Sequence, residues 1–307
     1  MSHSEHSPIE LRDSPGGPVV EAYLRMLAAA ASDVAGAVTR QTNGDPFSLR
    51  DPDYIARTLA GWRLVSQLYF RADVRGMANI PAQGPVLLVG NHSGGVVIVD
   101  TFVFAQCFYD HFGPERPFFQ LAHDLVFKLV GPRILAQRWG TVPASPDNMA
   151  QALDRDAALL VYPGGDHETF RPSWESDQVD FAQRTGFIKL ALEHDVPIVP
   201  IVSIGGQETG LFLGQGGRLA RGLGLDRLMR LKVFPATIGP PFGITILDFP
   251  LRLPLPAKIS IRVGKPIDLR KRLGSDPSLE DGYRLVTSTM QRTLTRLSNE
   301  RGLPIVG

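Results

Sequence analysis

The chain has 307 residues, 43% hydrophobic and 21% charged, which is enough for a substantial core in one large domain or two small ones. A net charge of +1 gives no global case for a nucleic-acid partner. The single cysteine, Cys107, excludes an intramolecular disulfide and a Cys-x-x-Cys zinc pair; lying in an apolar stretch with no basic residue close by, it reads as core.

Residues 1–18, dominated by Ser, His, Pro and Gly, read as a disordered tail and show no apolar run of a secretory signal. N-terminal helices are expected over 19–72. The first, Val19 to Arg40, is Ala-rich and stops at Asn43-Gly44-Asp45-Pro46. Asp53 is expected to cap the second, whose apolar face carries Tyr54, Ile55, Leu59, Trp62, Val65, Leu68, Tyr69 and Phe70. That face packs on the next domain or, with Arg57, Arg63 and Arg71 beside it, lies on a membrane. A short strand from Asp73 to Met77 and a turn at Ile80 to Pro85 lead into Val86-Leu87-Leu88-Val89, a buried strand.

Gly94 to Phe112 is the nearest approach to a membrane span. Asp100, Gln106, Asp110 and His111 interrupt it, so a buried helix from about Asp100 to Phe112 is expected instead. There follow a strand at Phe118 to Leu121, a helix from Asp124 to Gln137 and an irregular link from Arg138 to Ser145. A helix from Asp147 to Asp156 precedes a buried strand at Ala158 to Val161; a polar loop spans Thr169 to Asp180. Then come a helix from Phe181 to His194 and a strand from Val196 to Val202. This alternation predicts an α/β fold: a single domain with a mixed, mostly parallel sheet covered by helices, preceded by the N-terminal helices. Beyond it lies a basic amphipathic segment, 215–232, with Arg218, Arg221, Arg227, Arg230 and Lys232 against Asp226. A Pro-rich apolar run over 234–256, a strand from Lys258 to Val263 and a closing helix from Leu279 to Glu300 complete the chain. The expected main domain is 73–270, with 271–307 as a C-terminal helix packing on it.

The strand at Val86 to Val89 breaks at Gly90-Asn91, and His92 follows on a turn with Gly94 and Gly95. An imidazole beside bare backbone amides suits proton abstraction together with anion stabilisation; a histidine capping a loop is the plain alternative. A second glycine turn, Tyr162-Pro163-Gly164-Gly165-Asp166-His167-Glu168, also ends an apolar run, and the two together favour the chemical reading. Asp100 either orients the ring or serves only the start of its helix. The amides of Gly94, Gly95, Gly164 and Gly165 either cradle a phosphate or oxyanion or merely form tight turns. Arg171, with Glu168, either grips a phosphate or carboxylate or forms a solvated salt bridge.

Rival chemistries lack their motifs. Ser203 has no Gly-x-Ser-x-Gly elbow, and Gly90 to Gly95 fails the dinucleotide fingerprint. His92, His111, His123, Asp124 and His167 show no His-x-x-x-His spacing, so no metal site is expected.

Three blocks in order, over roughly residues 73–268, resemble the glycerolipid (lysophospholipid) acyltransferases, in the diacylglycerol-acyltransferase-like branch and its actinobacterial type. They are RGMANIPAQGPVLLVGNHSGGVVIVD ending at Asp100, the YPGGDHE turn, and RTGFIKLALEHDVPIVPI from Arg184 to Ile201. Two blocks depart from the family. The usual His-x-x-x-x-Asp spacing would put the acid at Val97, and Asp100 lies three residues further on. Gly140 to Ser145 lacks the Phe-Ile pair and the phosphate arginine of the second block, for which Arg138 or Arg171 would substitute. The resemblance implies transfer of an acyl group from acyl-CoA (or acyl carrier protein) to a glycerolipid hydroxyl, such as that of lysophosphatidate, with no cofactor. It gives His92 as base, Asp100 as its orienting acid, the four glycines as oxyanion donors, and Glu168 and Arg171 as acceptor-holding residues. It also implies a cytoplasmic protein, peripheral on the inner face of the plasma membrane, docked through 215–232 and 234–256. A thioester hydrolase using the same histidine and a non-catalytic lipid-binding protein are the alternatives.

Overall fold

Unbroken apolar runs in short central strands, sending side chains to both faces by turns, decide the layering. The structure, a computed structural model, describes residues 44–95, 98–128, 130–214, 236–240, 243–246 and 252–301. The expected tail and first helix, and the basic segment 215–232, lie outside the described residues, as does much of 234–256.

The first described α-helix, α1 (Pro52–Leu64), is capped by Asp51, which accepts from the Tyr54 amide; Pro52 fills the first turn, so the cap falls two residues before the expected Asp53. A π-helical turn, Val65–Tyr69, ends it. Then come β1 (Asp73–Arg75), β2 (Val86–Gly90), α2 (Val99–Phe112) and β3 (Phe118–Ala122). The helix expected over 124–137 is described on either side of residue 129, as α3 (Asp124–Lys128) and α4 (Val130–Arg138), and the link after it contains a strand, β4 (Thr141–Pro143). Next are α5 (Pro146–Leu153), β5 (Ala158–Val161) and the single turn α6 (Asp166–Thr169). The helix expected from Phe181 begins only at α7 (Gly186–Glu193), because Ala182 and Gln183 are left-handed, with φ of 51° and 57°. After it come β6 (Ile198–Ile204), β7 (Leu211–Gly214), β8 (Ala236–Gly239), β9 (Gly243–Ile246) and β10 (Ser260–Val263). Two helices close the chain, α8 (Leu269–Leu273) and α9 (Leu279–Glu300).

Seven strands form one sheet in the order β1-β10-β6-β2-β5-β3-β4, parallel throughout except where β10 meets β6. Leu87 and Val89 turn to one side, where α7 and α9 cover them with Phe187, Ile188, Val286, Met290 and Leu294. Val86 and Leu88 turn to the other, against Val103, Phe104 and Phe108 of α2 and Tyr54 and Ile55 of α1. Strands buried on both faces read as continuous apolar runs, which is why β2, β5 and β6 stood out in the sequence. A second sheet, β7-β8-β9, is antiparallel. Among the described residues no helix is long and apolar enough to cross a membrane.

Candidate active site

β2 and β5 run side by side in register, Val89 opposite Val161, so the turns that follow them emerge at one edge of the sheet. Carboxyl ends of neighbouring parallel strands are where open α/β sheets form their sites. Here the two turns touch: the His92 backbone amide donates to Glu168 Oε2 at 3.1 Å.

The His92 ring stacks on Tyr162, with centroids 4.2 Å apart and planes inclined by 22°. Its Nδ1 is sealed and has no hydrogen-bond partner, while the residue as a whole is only partly buried. Nε2 is the ring nitrogen that is not sealed in this way. Burial pushes the imidazole down to about 3, so it is neutral in this conformation.

Asp100 does not take the expected position beside His92. It is 1% exposed, and its Oδ2 accepts from Ser93 Oγ at 3.2 Å and from Ser203 Oγ at 3.1 Å. Oδ1 accepts from the Thr101 amide at 2.8 Å. The acid belongs to the first turn of α2, and two neighbouring hydroxyls satisfy it there. Burial raises its carboxyl to about 6 against the pull of those donors.

The glycine amides are likewise engaged. Gly94 N donates to Gln207 Oε1 at 3.0 Å, Gly95 N to Thr169 O at 3.1 Å, and Gly165 N to Tyr162 O at 3.0 Å. In this conformation these three amides are bonded within the protein rather than open to an oxyanion. Their residues serve backbone shape, with φ of 95° at Gly94 and 72° at Gly95. Gly164 makes room: a Cβ there would overlap Glu168 Cγ.

Glu168 and Arg171 hold each other rather than an acceptor. The carboxylate is fully buried, and its Oε1 accepts from Arg171 Nη2 at 2.9 Å and from the Asp180 amide at 3.1 Å. Arg171, 6% exposed, also donates to the carbonyls of Gln178 and Glu175. Burial pushes the Glu168 carboxyl up to about 8, with Arg171 and the two amides pulling the other way. The pair joins the second turn to the loop behind it.

Several residues of the site carried little signal in the sequence. Asn91 extends the sheet past the end of β2: its Nδ2 donates to Ser203 O at 2.9 Å and its Oδ1 accepts from Ser203 N at 2.8 Å. Gln207 bridges the two turns, accepting from Gly94 N and donating to Arg171 O. Buried Arg252 donates to Gly94 O at 2.8 Å. Arg184, at the head of a run singled out above, donates to Pro163 O at 3.0 Å and Gly164 O at 2.9 Å and pairs with Asp166. A cavity of about 560 Å³ beside Val196 and Asp268 opens at the opposite end of β6, away from His92. No group of three His, Cys, Asp or Glu side chains suited to a metal occurs among the described residues. Burial raises the Cys107 thiol to about 11, which makes it unreactive.

A mostly parallel sheet under helices thus delivers a histidine and a Pro-Gly-Gly turn to one edge. The profile of the Acyltransferase family matches residues 71–204. An uncharacterised protein of Mycobacterium tuberculosis is 30% identical over 291 residues, covering 90% of this chain and 76% of its own. Diacylglycerol O-acyltransferase 1 of Saccharomyces cerevisiae is 28% identical over 206 residues, 65% of this chain and 48% of the yeast protein. The crystal structure of PlsC, the 1-acyl-sn-glycerophosphate (LPA) acyltransferase of Thermotoga maritima, is similar in fold. Its TM-score is 0.51 at 16% identity, over 91% of this chain and 97% of that one. The chain belongs to the glycerolipid acyltransferase family and is an enzyme of that type.

Proposed function

We propose that the protein moves a fatty acyl group from an acyl-CoA or acyl carrier protein thioester to a lipid hydroxyl, with His92 as general base. The observation that carries this is the placing of His92 and the Pro-Gly-Gly turn side by side at the carboxyl ends of β2 and β5. His92 takes the hydroxyl proton as the acceptor oxygen attacks the thioester carbon. The tetrahedral adduct then expels the thiolate, which receives that proton. The acyl carrier is consumed as a substrate, and the reaction as written needs no cofactor.

The acceptor proposed is an uncharged glycerolipid rather than lysophosphatidate. Support comes from the two arginines that pack beside the second turn, since Arg171 is ion-paired inside and Arg184 is bound to carbonyls and Asp166. The yeast relative's name, a diacylglycerol acyltransferase, agrees with an uncharged acceptor. Asp100, through Ser93 and Ser203, stiffens the chain on either side of His92.

Work on lipids at the inner face of the plasma membrane, from the cytoplasm, is part of the same proposal. The second sheet turns Leu211, Leu213 and Ile244 outward and buries Thr237 and Thr245, the reverse of a sheet that faces water. Leu68, Tyr69 and Leu253 are exposed as well. The basic segment 215–232 joins β7 to β8 in sequence and would meet anionic headgroups.

The test is labelled acyl-CoA offered with lysophosphatidate, monoacylglycerol or diacylglycerol. Acylated neutral lipid is expected from the parent and none from His92→Ala of parental melting temperature. Parental turnover in that variant overturns the proposal. Free fatty acid released regardless of acceptor makes the protein a thioester hydrolase.

A further inference from the structure

The geometry points to Tyr162 as the residue that aims the His92 imidazole, its ring face doing what a carboxylate partner does in a histidine–acid pair. This rests on His92 being the base proposed above. Tyr162 does not touch the reacting atoms; it is a positioning residue.

Four observations converge on it. The rings lie 4.2 Å apart and are inclined by 22°, a stacked contact. The usual means of fixing the ring is missing: Nδ1 has no partner, and Asp100 is taken up by Ser93, Ser203 and the Thr101 amide. The tyrosine is itself pinned at its far end, where Thr101 Oγ1 in the first turn of α2 donates to its hydroxyl at 2.8 Å. Finally, its seat is cut into β2. A Cβ on Gly90 would overlap Tyr162 Cε1 and lie 2.8 Å from Cδ1. The glycine that ends the catalytic strand is thus small because the ring lies against it.

The chain of contacts runs from α2 through Thr101 to Tyr162 and then to His92. It fixes the plane of the imidazole and with it the direction of Nε2. Losing the stacked ring frees the imidazole to turn, which displaces Nε2 from the acceptor hydroxyl without removing any substrate contact. Turnover should fall and binding should not.

Two substitutions separate the ring from its hydroxyl. Tyr162→Phe keeps the stack and should hold kcat within about threefold of the parent, whereas Tyr162→Leu should lower kcat on the order of 100-fold with both KM values nearly unchanged. Leucine-variant turnover within about twofold of the parent, or equal impairment of the two variants, overturns the inference. Should Tyr162→Leu fail to fold, the parent protein decides the matter by NMR. The His92 Hε1 resonance, assigned by its loss in His92→Gln, should be shifted upfield by the tyrosine ring current, and an unshifted resonance also overturns the inference. Turnover surviving in His92→Ala would remove the general-base reading and leave this spectral result standing, so the two failures are distinguishable.

Discussion

Asn91 sits where β2 has ended and β6 has not. The last backbone pair between these strands is Gly90 with Ile201, yet Ser203, two residues further along β6, still presents both its N–H and its C=O to that side. The Asn91 amide answers both, at 2.8 and 2.9 Å, in the manner of one more strand residue. Both residues are 4% exposed, so water does not replace what is lost. Asn91→Ala therefore leaves one buried donor and one buried acceptor unmatched, at about 1–3 kcal/mol each. Allowing for partial relaxation, a loss of about 2–4 kcal/mol is expected, which lowers the melting temperature by roughly 5–15 °C in a domain of this size. Asn91→Asp keeps the bond from Ser203 N but turns a second oxygen, with charge, onto Ser203 O; it should cost at least as much at neutral pH. Urea titration followed by circular dichroism measures both. If the alanine variant loses less than about 0.5 kcal/mol, the side chain is not acting as a surrogate strand and the argument fails.

Asp100 makes a prediction with a definite sign. Its carboxyl is raised from the ordinary 3.8 to about 6 in the folded protein, so ionising it works against the fold. Its contribution is fully present below the unfolded value and is lost as pH rises through about 6, a difference of about 3 kcal/mol. Asp100→Asn keeps the Thr101 amide bond on its oxygen and donates to Ser93 and Ser203, whose hydroxyls turn to accept. The variant should decline less steeply than the parent across that interval in urea titrations run at successive pH values, and equal slopes would refute this. Gly164→Ala pushes a methyl into Glu168 Cγ and dislodges the carboxylate from His92 N, for an expected loss of about 1–3 kcal/mol. A parental thermal melt in that variant would show that Glu168 has room to move.

What the sequence disclosed follows from how each feature is encoded. Buried parallel strands are written as unbroken apolar runs, so β2, β5 and β6 and the turns after them were legible, and their meeting at one edge followed from the α/β alternation. Features that depend on partners distant in the chain were not. The family resemblance implies that Asp100 orients His92, but Ser203, a hundred residues away, holds its carboxyl. Gln207 and Arg252 lock the His92 turn from loops with no motif of their own. The start of α7 was misjudged because nothing in Phe181-Ala182-Gln183 announces left-handed backbone. Two strands of the second sheet were hidden in a Pro-rich run that gave no period-two signal.

The late arrival of β10 has a consequence for biosynthesis. It slots between β1 and β6, so the ribosome must deliver residues 260–263 before either neighbour is satisfied. Until then β6, whose seven residues are all buried in the finished enzyme, is a bare, sticky border on a nascent chain. Truncation anywhere ahead of Ser260 would make that border permanent, and the shortened polypeptide should clump with its siblings rather than stay in solution.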